Sequence, residues 1–199
     1  MDILLASKSP RRQELLRMLG AEDIKIIPAS GEEDVPEGLT PGDVVSRIAY
    51  GKGKEVAEKH GQNALTIAAD TLVYLDGEAL GKPKDEEDAF RMLKKLSGNV
   101  HSVYTGVALF CGGMHMTGFE RTLVHFRKMT DEEIWKYIKS GEPMDKAGAY
   151  GAQGLGAVFI QGLEGDFFNV MGLPLCKLSV MLRTPGFLPK DHGLSLFGV

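Results

Sequence analysis

Short apolar runs alternate along this sequence with amphipathic segments that carry helix signals, and this alternation constrains the fold most. The apolar run 3–6 comes directly before a segment in which Ser9 suits a helix N-cap, Pro10 suits the first turn and Gly20 suits the end. The strand-like run 65–69 likewise follows a segment with helical apolar spacing. Repetition of this order predicts an α/β fold in which helices flank a mixed, twisted sheet.

Capping residues and apolar spacing predict four further helices. Thr40 and Asp43 start the first of them, and Thr130 and Glu133 start the third with the spacing of a capping box. The fourth begins near Pro174. The residues expected on the buried faces are Val45, Ile48, Ala49 and Val56; Ala89, Met92, Leu93 and Leu96; Ile134 and Ile138; and Leu175, Leu178 and Leu182.

Apolar runs and turn residues predict the strands. We expect the run 65–69 to end at or near Asp70 and Thr71, and an extended run to continue over 72–75. The pair 76–77 is Asp-Gly, which is a strong signal for a two-residue hairpin turn. Further strands are expected at 100–110, 117–126 and 157–161, and loops at 28–39 and 143–154.

The composition excludes several classes of protein. With 199 residues, 43% of them hydrophobic, the chain suits one globular domain, 1–199, which can have two lobes. Its net charge of −4 argues against nucleic acid or an anionic membrane as partner. Cys111 and Cys176 are too few for a disulfide framework, so we expect buried free thiols. The N-terminal residues do not resemble a signal peptide, so we expect a cytoplasmic protein, with a loosely packed tail at 184–199.

The segment from Ser7 to Arg12 places two arginines at the start of a predicted helix. Backbone N–H groups at a helix start attract phosphate, and the forked donors of Arg11 and Arg12 match phosphate oxygens. Cations at this end of a helix are electrostatically unfavourable, because the helix dipole favours acidic residues there. An anionic ligand would offset the unfavourable electrostatic energy. The structural alternative is that Ser9 is only a cap and that the arginines form a solvated face.

Three single residues are candidates, and each also has a structural explanation. Lys52 lies on the apolar stripe of its helix between Gly51 and Gly53, where it either snorkels to solvent or meets a ligand that the glycines let approach. Asp70 follows small residues near a strand end, where α/β sheets bind ligands, or it caps a turn. Lys82 stands between a glycine and a proline, and it either offers a positive charge to a ligand or is solvated.

Two other segments suit a cation and a nucleobase. Glu32 and Glu33 form an acidic pair that either binds a divalent cation or belongs to a solvated loop. The small residues of 145–154 permit close approach of the backbone to a flat ligand, and the amide of Gln153 can pair with a base edge. The alternative for this segment is a flexible surface loop. The five histidines lack ligand spacing, so we expect them to be structural or exposed.

Taken in order, these segments resemble the Maf family of nucleotide pyrophosphatases over residues 3 to about 182. The matching pieces are Leu5-Ala6-Ser7-x-Ser9-Pro10-Arg11-Arg12, Glu33, Leu39-Thr40-Pro41, Lys52, Ala69-Asp70-Thr71, Leu80-Gly81-Lys82-Pro83, Leu96-Ser97-Gly98, Tyr104-Thr105-Gly106, Asp145-Lys146-Ala147-Gly148-Ala149-Tyr150-Gly151, Gln153-Gly154 and Gly172-Leu173-Pro174. The family's usual aspartate–glutamate pair and following serine stand here as Glu32, Glu33 and Asp34.

The resemblance implies a fold similar to that of inosine triphosphate pyrophosphatases, with two lobes around a central cleft. It implies hydrolysis of a nucleoside triphosphate to its monophosphate and pyrophosphate, with Mg²⁺ or Mn²⁺ as cofactor, in nucleotide-pool house-cleaning. By similarity, Asp70 is the proton acceptor, and Asp70 and Glu33 hold the cation. The remaining implied contacts are Ser7, Arg11, Arg12, Lys52 and Lys82 around the phosphates, and Arg11, Thr71 and Gln153 at the base.

The branches of the family differ in substrate, and the segment 148–153 matches the branch that prefers dTTP and UTP. Gln153 stands where the 7-methylguanosine triphosphate branch has glutamate, and a glutamine can both donate to and accept from a pyrimidine edge. We therefore expect a dTTP and UTP pyrophosphatase, with modified pyrimidine nucleotides as further substrates to test. The alternatives are the 7-methylguanosine triphosphate branch and a non-catalytic, nucleotide-binding regulator of septum formation or cell division. Similar proteins are often homodimers, so we expect a homodimer here.

Overall fold

The computed structural model describes residues 1–31, 36, 38–60 and 63–190. Its strands are β1 (Asp2–Leu5), β2 (Ile24–Ile26), β3 (Ala64–Leu75), β4 (Glu78–Leu80), β5 (Val100–Cys111), β6 (Met114–Phe126) and β7 (Ile160–Glu164). Its helices are α1 (Pro10–Met18), α2 (Pro41–His60), α3 (Glu86–Leu96), α4 (Asp131–Ile138), α5 (Phe167–Met171) and α6 (Leu175–Leu182). Short 3₁₀ segments cover Glu142–Asp145, Ala147–Ala149 and Leu155–Phe159.

The strands form one mixed sheet in the order β2-β1-β3-β5-β6-β7, with β4 paired to β3. β1 pairs in parallel with β2 and β3, whereas the β3–β4 and β6–β7 pairs are antiparallel. Ile3, Leu4 and Leu5 are all buried, as a strand with neighbours on both sides requires. The expected α/β class with a mixed sheet flanked by helices is confirmed.

The chain divides into two compact units. Unit 1 comprises the described residues of 1–70, 105–120 and 172–199, and unit 2 comprises 71–104 and 121–171.

In unit 1, α2 lies directly against β5. A Cβ atom at Gly106 would lie 2.2 Å from the carbonyl oxygen of Val45, so only glycine permits this contact between the two backbones. Thr40 caps the helix, because its hydroxyl accepts a hydrogen bond from the backbone N–H of Asp43. The expected inward residues of α2 are buried apart from Ile48, which is half-buried.

In unit 2, α3 and α4 pack into a shared core and follow their sequence signals closely. The four expected inward residues of α3 are buried, as are Ile134 and Ile138 of α4. Both bonds of the Thr130–Glu133 capping box are present. The predicted hairpin turn joins β3 to β4, and Asp76 and Gly77 both have positive φ, as a type I′ turn requires.

Several sequence predictions were wrong in their details. The strand expected at 157–161 begins only at Ile160, because Leu155–Phe159 forms a 3₁₀ segment whose Ala157 N–H donates to the Gly154 carbonyl. Asp70 lies within β3, since that strand continues unbroken to Leu75. The short elements β2 and α5 carry too little periodicity to have been predicted.

The thiols also differ in part from expectation. Cys111 is buried and Cys176 is exposed, and both are free. Cys176 is on the outward side of α6, whose inward positions are occupied by the predicted leucines. In the part of the tail that the structure describes, Phe187 is buried, whereas most residues around it are exposed. Across the described residues, no helix combines the length and the apolar character that crossing a bilayer would need.

Candidate functional site

The turn between β1 and α1 is organised by the hydroxyl of Ser7. This nearly buried oxygen accepts from the backbone N–H of Ser9 at 3.2 Å and from Nη1 of Arg12 at 3.1 Å. Ser9 occupies the N-cap position, but its side chain makes no capping bond within the described residues, so the expected Ser9 side-chain cap is wrong. An N-terminus without a side-chain cap suits an anionic ligand, because such a ligand can accept from the first-turn N–H groups.

Arg12 connects this turn to the segment that precedes α6. Its Nε donates to the carbonyl oxygen of Gly172 at 2.8 Å, while its Nη1 donates to Ser7. Burial lowers the pKa of Arg12, the Asp70 carboxylate raises it, and the neighbouring Arg11 cation lowers it again. An arginine stays protonated at any such balance, so the site holds a fixed positive charge close to Asp70.

Lys52 and Asp70 form a half-buried ion pair in unit 1. The Lys52 ammonium donates to Oδ1 of Asp70 at 2.6 Å, and the two side chains are 25% and 18% exposed. Asp70 lies three residues beyond Ile67, where the parallel pairing of β3 with β1 ends. Asp70 therefore lies just beyond the end of this parallel pairing, although β3 itself continues to Leu75. Lys52 does not snorkel to solvent, because its head group is engaged by Asp70.

A cavity of about 540 Å³ opens beside Lys52, still within unit 1. Its lining residues are Ala29, Ser30, Gly31, Arg47, Ile48, Tyr50, Gly51, Lys52, Glu55 and Lys59. A volume of this size falls in the range of small-molecule sites, and the basic side chains suit an anionic ligand.

The two glycines beside Lys52 have different roles. A Cβ atom at Gly51 would meet nothing within 4 Å, and this glycine lines the cavity. A Cβ atom at Gly53 would lie 2.5 Å from the ring of Phe110, so Gly53 is required for packing against β5. The interpretation that both glycines admit a ligand was therefore wrong for Gly53.

The other described candidates lie in unit 2, or beside Arg12. Arg11 and Thr71 are half-buried, and Lys82 and Gln153 are exposed. The loop that contains Lys82 and the segment 145–154, called the glycine-rich segment below, are joined by a hydrogen bond from the Gly148 N–H to the Gly81 carbonyl at 3.0 Å. The structure therefore brings together Ser7, Arg12, Lys52 and Asp70 within unit 1, and it joins the segments of Lys82 and Gln153 within unit 2.

The glycines around Gln153 pack against protein atoms. A Cβ atom at Gly154 would lie 2.6 Å from a carboxylate oxygen of Glu142, and one at Gly156 would lie 2.7 Å from the Tyr137 hydroxyl. A Cβ atom at Gly148 would lie 2.9 Å from Val73. The small residues of 145–154 were expected to let a flat ligand approach, whereas Gly148 and Gly154 of that segment pack against Val73 and Glu142.

The expected cation site is only partly covered by the structure, since Glu32 and Glu33 lie outside the described residues. Among the residues that are described, no group of three or more His, Cys, Asp or Glu side chains could hold a metal ion. Mg²⁺ commonly binds one or two protein carboxylates and completes its shell with substrate phosphates and water. The carboxylate of Asp70 fits that mode of binding because its ligand atoms are oxygens, one of which, Oδ1, accepts from Lys52.

Three residues that no sequence pattern singled out shape these segments. The Glu55 carboxylate accepts from the backbone N–H groups of Ser30 and Gly31 and from the Ser30 hydroxyl, and so holds the start of the segment that leads to Glu32. The Tyr137 hydroxyl accepts from the backbone N–H of Gly151, and the Glu142 carboxylate accepts from those of Leu155 and Gly156. The carboxylates of Glu55 and Glu142 contact residues 13 to 25 positions away, and no local pattern predicts such contacts.

Comparison with known proteins shows a match to one family and similarity to relatives that share one name. The family model described as "Maf-like protein" matches residues 2–185. A dTTP/UTP pyrophosphatase of Agathobacter rectalis is 49% identical, over 93% of this chain and 98% of its own. Proteins of the same name from Dictyoglomus turgidum (46% identical, 94% and 97% covered) and Caldicellulosiruptor saccharolyticus (44%, 93% and 95%) are also similar.

A solved structure of much lower sequence identity has a similar fold. The HAM1 protein from Coxiella burnetii superposes with a TM-score of 0.53 at 18% identity, over 92% of this chain and 98% of that one. This likeness confirms the expected α/β fold class, which the chain shares with the HAM1 protein.

Proposed function

This chain belongs to the Maf-like protein family, and we propose that it is a pyrophosphatase that hydrolyses dTTP and UTP to the monophosphate and pyrophosphate. Its relatives of that name cover nearly its whole length. We extend the proposal to modified pyrimidine nucleotides, because a pocket that reads the pyrimidine edge tolerates small additions elsewhere on the ring better than it tolerates a different edge.

The observation that carries the proposal is the Lys52–Asp70 ion pair, with Arg12 close to the same carboxylate. A half-buried carboxylate among cations suits a general base that works beside a polyphosphate, because the cations that hold the carboxylate in place also attract the substrate. When the substrate enters, its phosphates offer Lys52 a second anionic partner. The Asp70 carboxylate is then available to accept a proton from the attacking water.

The remaining residues bind and orient the nucleotide in this proposal. Ser7, Arg11 and Arg12 bind phosphate at the start of α1, where the helix dipole adds to the attraction. Lys82 stabilises the negative charge that develops on the leaving pyrophosphate. Thr71 and Gln153 contact the base, and the Gln153 amide pairs with the pyrimidine edge.

A divalent cation, Mg²⁺ or Mn²⁺, completes the proposed site, held by Asp70 and Glu33. When bound, such a cation polarises the phosphate and lowers the pKa of an attacking water. The chain's own cations remain necessary, because the substrate is more strongly anionic than one divalent ion can neutralise.

The test is steady-state pyrophosphate release by the wild-type protein and by Asp70→Asn, with and without Mg²⁺ or Mn²⁺. The substrate panel contains dTTP, UTP, CTP, 7-methyl-GTP and modified pyrimidine triphosphates. We expect metal-dependent turnover of dTTP and UTP by the wild type. In Asp70→Asn we expect kcat to fall by roughly two to four orders of magnitude with nucleotide binding retained, because a general base is removed.

Other outcomes of the same panel identify the rival functions. Preferred turnover of 7-methyl-GTP would place the protein in the other branch of the family. Nucleotide binding without pyrophosphate release under any metal condition would favour the non-catalytic regulator of septum formation or cell division. Near-normal turnover by Asp70→Asn would show that Asp70 is not the base.

The setting of the enzyme is also part of the proposal. We propose a cytoplasmic homodimer that acts on free nucleotides and removes unwanted triphosphates from the nucleotide pool. The net charge of −4 supports free nucleotides over nucleic acid as partner, because a nucleic-acid-binding surface relies on extended positive charge.

A further inference from the structure

We infer that the Glu142 carboxylate and the Tyr137 hydroxyl govern base discrimination by positioning the backbone on both sides of Gln153. This inference rests on the proposed function, in which the Gln153 amide reads the base. Glu142 and Tyr137 are positioning residues here, since they are assigned no contact with the substrate.

The hydroxyl of Tyr137 provides the first of these anchors. Tyr137 lies in the last turn of α4, whose start is held by the capping box, and it is buried in the core of unit 2. Its hydroxyl accepts from the backbone N–H of Gly151 at 3.1 Å and donates to Oε1 of Glu142 at 2.8 Å. The hydroxyl therefore links a rigid helix to the residue two positions before Gln153.

The carboxylate of Glu142 provides the second anchor. Its Oε2 accepts from the backbone N–H of Leu155 at 2.8 Å, and its Oε1 accepts from the N–H of Gly156 at 3.0 Å. Burial opposes ionisation of Glu142, but these two N–H groups and the Tyr137 hydroxyl outweigh it, so the pKa lies below its ordinary value. A carboxylate that accepts several N–H donors holds them more strongly than a neutral acceptor would.

The anchored N–H groups lie on either side of Gln153, at positions 151, 155 and 156. Between them, Gly154 has a φ of 122°, and any side chain there would lie 2.6 Å from the Glu142 carboxylate. The backbone is therefore held before Gln153 by the Tyr137 hydroxyl and after it by the Glu142 carboxylate, while the Gln153 side chain is exposed. A side chain whose backbone is held on both sides loses less freedom when it binds a ligand, which favours both affinity and discrimination.

The test compares Glu142→Gln and Tyr137→Phe with the wild type on the same nucleotide panel. The neutral amide of Glu142→Gln has one acceptor oxygen, so it cannot replace both bonds to Leu155 and Gly156. We expect KM for dTTP and UTP to rise roughly tenfold, which corresponds to about 1.4 kcal/mol of binding free energy. We expect kcat to change little, and the preference for dTTP and UTP over CTP and 7-methyl-GTP to fall.

The control is Glu164→Gln in the same unit. The Glu164 carboxylate bonds to the ring of His125 on the paired strand β6, so this variant also loses a carboxylate hydrogen bond, but one away from the glycine-rich segment. We expect wild-type KM and wild-type discrimination from Glu164→Gln.

Hydrogen exchange provides a readout that does not depend on activity. We expect the amides of Leu155 and Gly156 to exchange faster in Glu142→Gln, and that of Gly151 to exchange faster in Tyr137→Phe, with α3 protected as in the wild type. If the wild type fails to hydrolyse any nucleotide, the proposed function fails, and exchange still tests the anchoring. Unchanged exchange, unchanged KM and discrimination, or a uniform loss of kcat across the panel with KM unchanged would each overturn the inference.

Discussion

At the scale of a residue, Arg12 carries two contacts that a lysine could not make together. Its guanidinium reaches the Gly172 carbonyl through Nε and the Ser7 hydroxyl through Nη1. The planar fork fixes the directions of both bonds, whereas a lysine ammonium is a point charge on a flexible stem. The motif piece 172–174 therefore belongs with the first helix in space, a connection that the sequence order conceals.

We expect Arg12→Lys to weaken both folding and substrate binding. Loss of one hydrogen bond should lower the free energy of unfolding by about 1 kcal/mol. Loss of the fork should raise KM for dTTP roughly tenfold, because phosphate is bound by a single donor group. Arg17→Lys, at an exposed position in the last turn of the same helix, is the control. Wild-type KM in Arg12→Lys would exclude a role for the fork.

At the scale of an element, α2 shows how two glycines two residues apart differ in consequence. Gly53 faces Phe110 and Ala68, and Gly51 faces open space beside Lys52. Their spacing turns them by about 200° around the helix axis, so one is inside and the other outside. The helix pattern placed Lys52 on the apolar stripe, but only the packing of β5 distinguished the glycines.

Alanine at these two positions should change stability in opposite directions. Gly51→Ala should stabilise the protein by up to about 1 kcal/mol, because alanine is the better helix former and meets no neighbour. Gly53→Ala should destabilise it by about 1–3 kcal/mol, because the new methyl group would lie 2.5 Å from the Phe110 ring. Urea unfolding of both variants measures the difference, and equal midpoints would contradict the packing explanation.

At the scale of the whole molecule, buried and paired ionisable groups make stability depend on pH. His101 is buried, its Nε2 bonds to the Tyr150 hydroxyl, and its Nδ1 has no hydrogen-bond partner within the described ranges. Burial, and to a smaller extent the nearby His125, lower its pKa to about 4. Hydrogen bonds from Lys59 to Glu55 and from Arg127 to Glu133 are the largest causes that lower each of those pKa values to about 2.

These shifts predict that the free energy of unfolding decreases as the pH falls below about 6.5. Between pH 6.5 and 4 the unfolded chain binds a proton at His101 that the folded chain does not, so unfolding becomes easier as the pH falls. This loss is on the order of 3 kcal/mol, at about 1.36 kcal/mol per pKa unit. The two glutamates act in the same direction below their ordinary value of 4.5.

The variant His101→Gln isolates the contribution of His101 between pH 6.5 and 4. Its amide oxygen can still accept from the Tyr150 hydroxyl, but it does not titrate, so urea unfolding should show a smaller decline between pH 6.5 and 4.5 than in the wild type. His60→Gln, at the exposed end of α2, should retain the wild-type decline. An identical pH dependence in all three proteins would show that His101 does not contribute.

The α/β class, most helix starts and ends, the buried faces of the helices and the family could all be predicted from the amino-acid sequence. These properties are encoded locally, because caps, turn residues and apolar periodicity act within a few residues. The capping box at Thr130 and the turn at 76–77 are found where predicted. Nearly all proposed phosphate-binding residues were also recognisable, since the family's short motifs carry them.

Contacts between groups far apart in the sequence could not be predicted, because they depend on how the elements pack. The Lys52–Asp70 pair, the Arg12–Gly172 bond and the bond from Leu155 to Glu142 join residues 13 to 160 positions apart. Such contacts depend on the pairing of β1 with β3, on the packing of α2 within unit 1 and on the packing of α4 within unit 2. Sequence patterns that act over a few residues do not encode them. For the same reason, the glycines around Gln153 proved to make room for Glu142 and Tyr137, two residues that no motif had singled out.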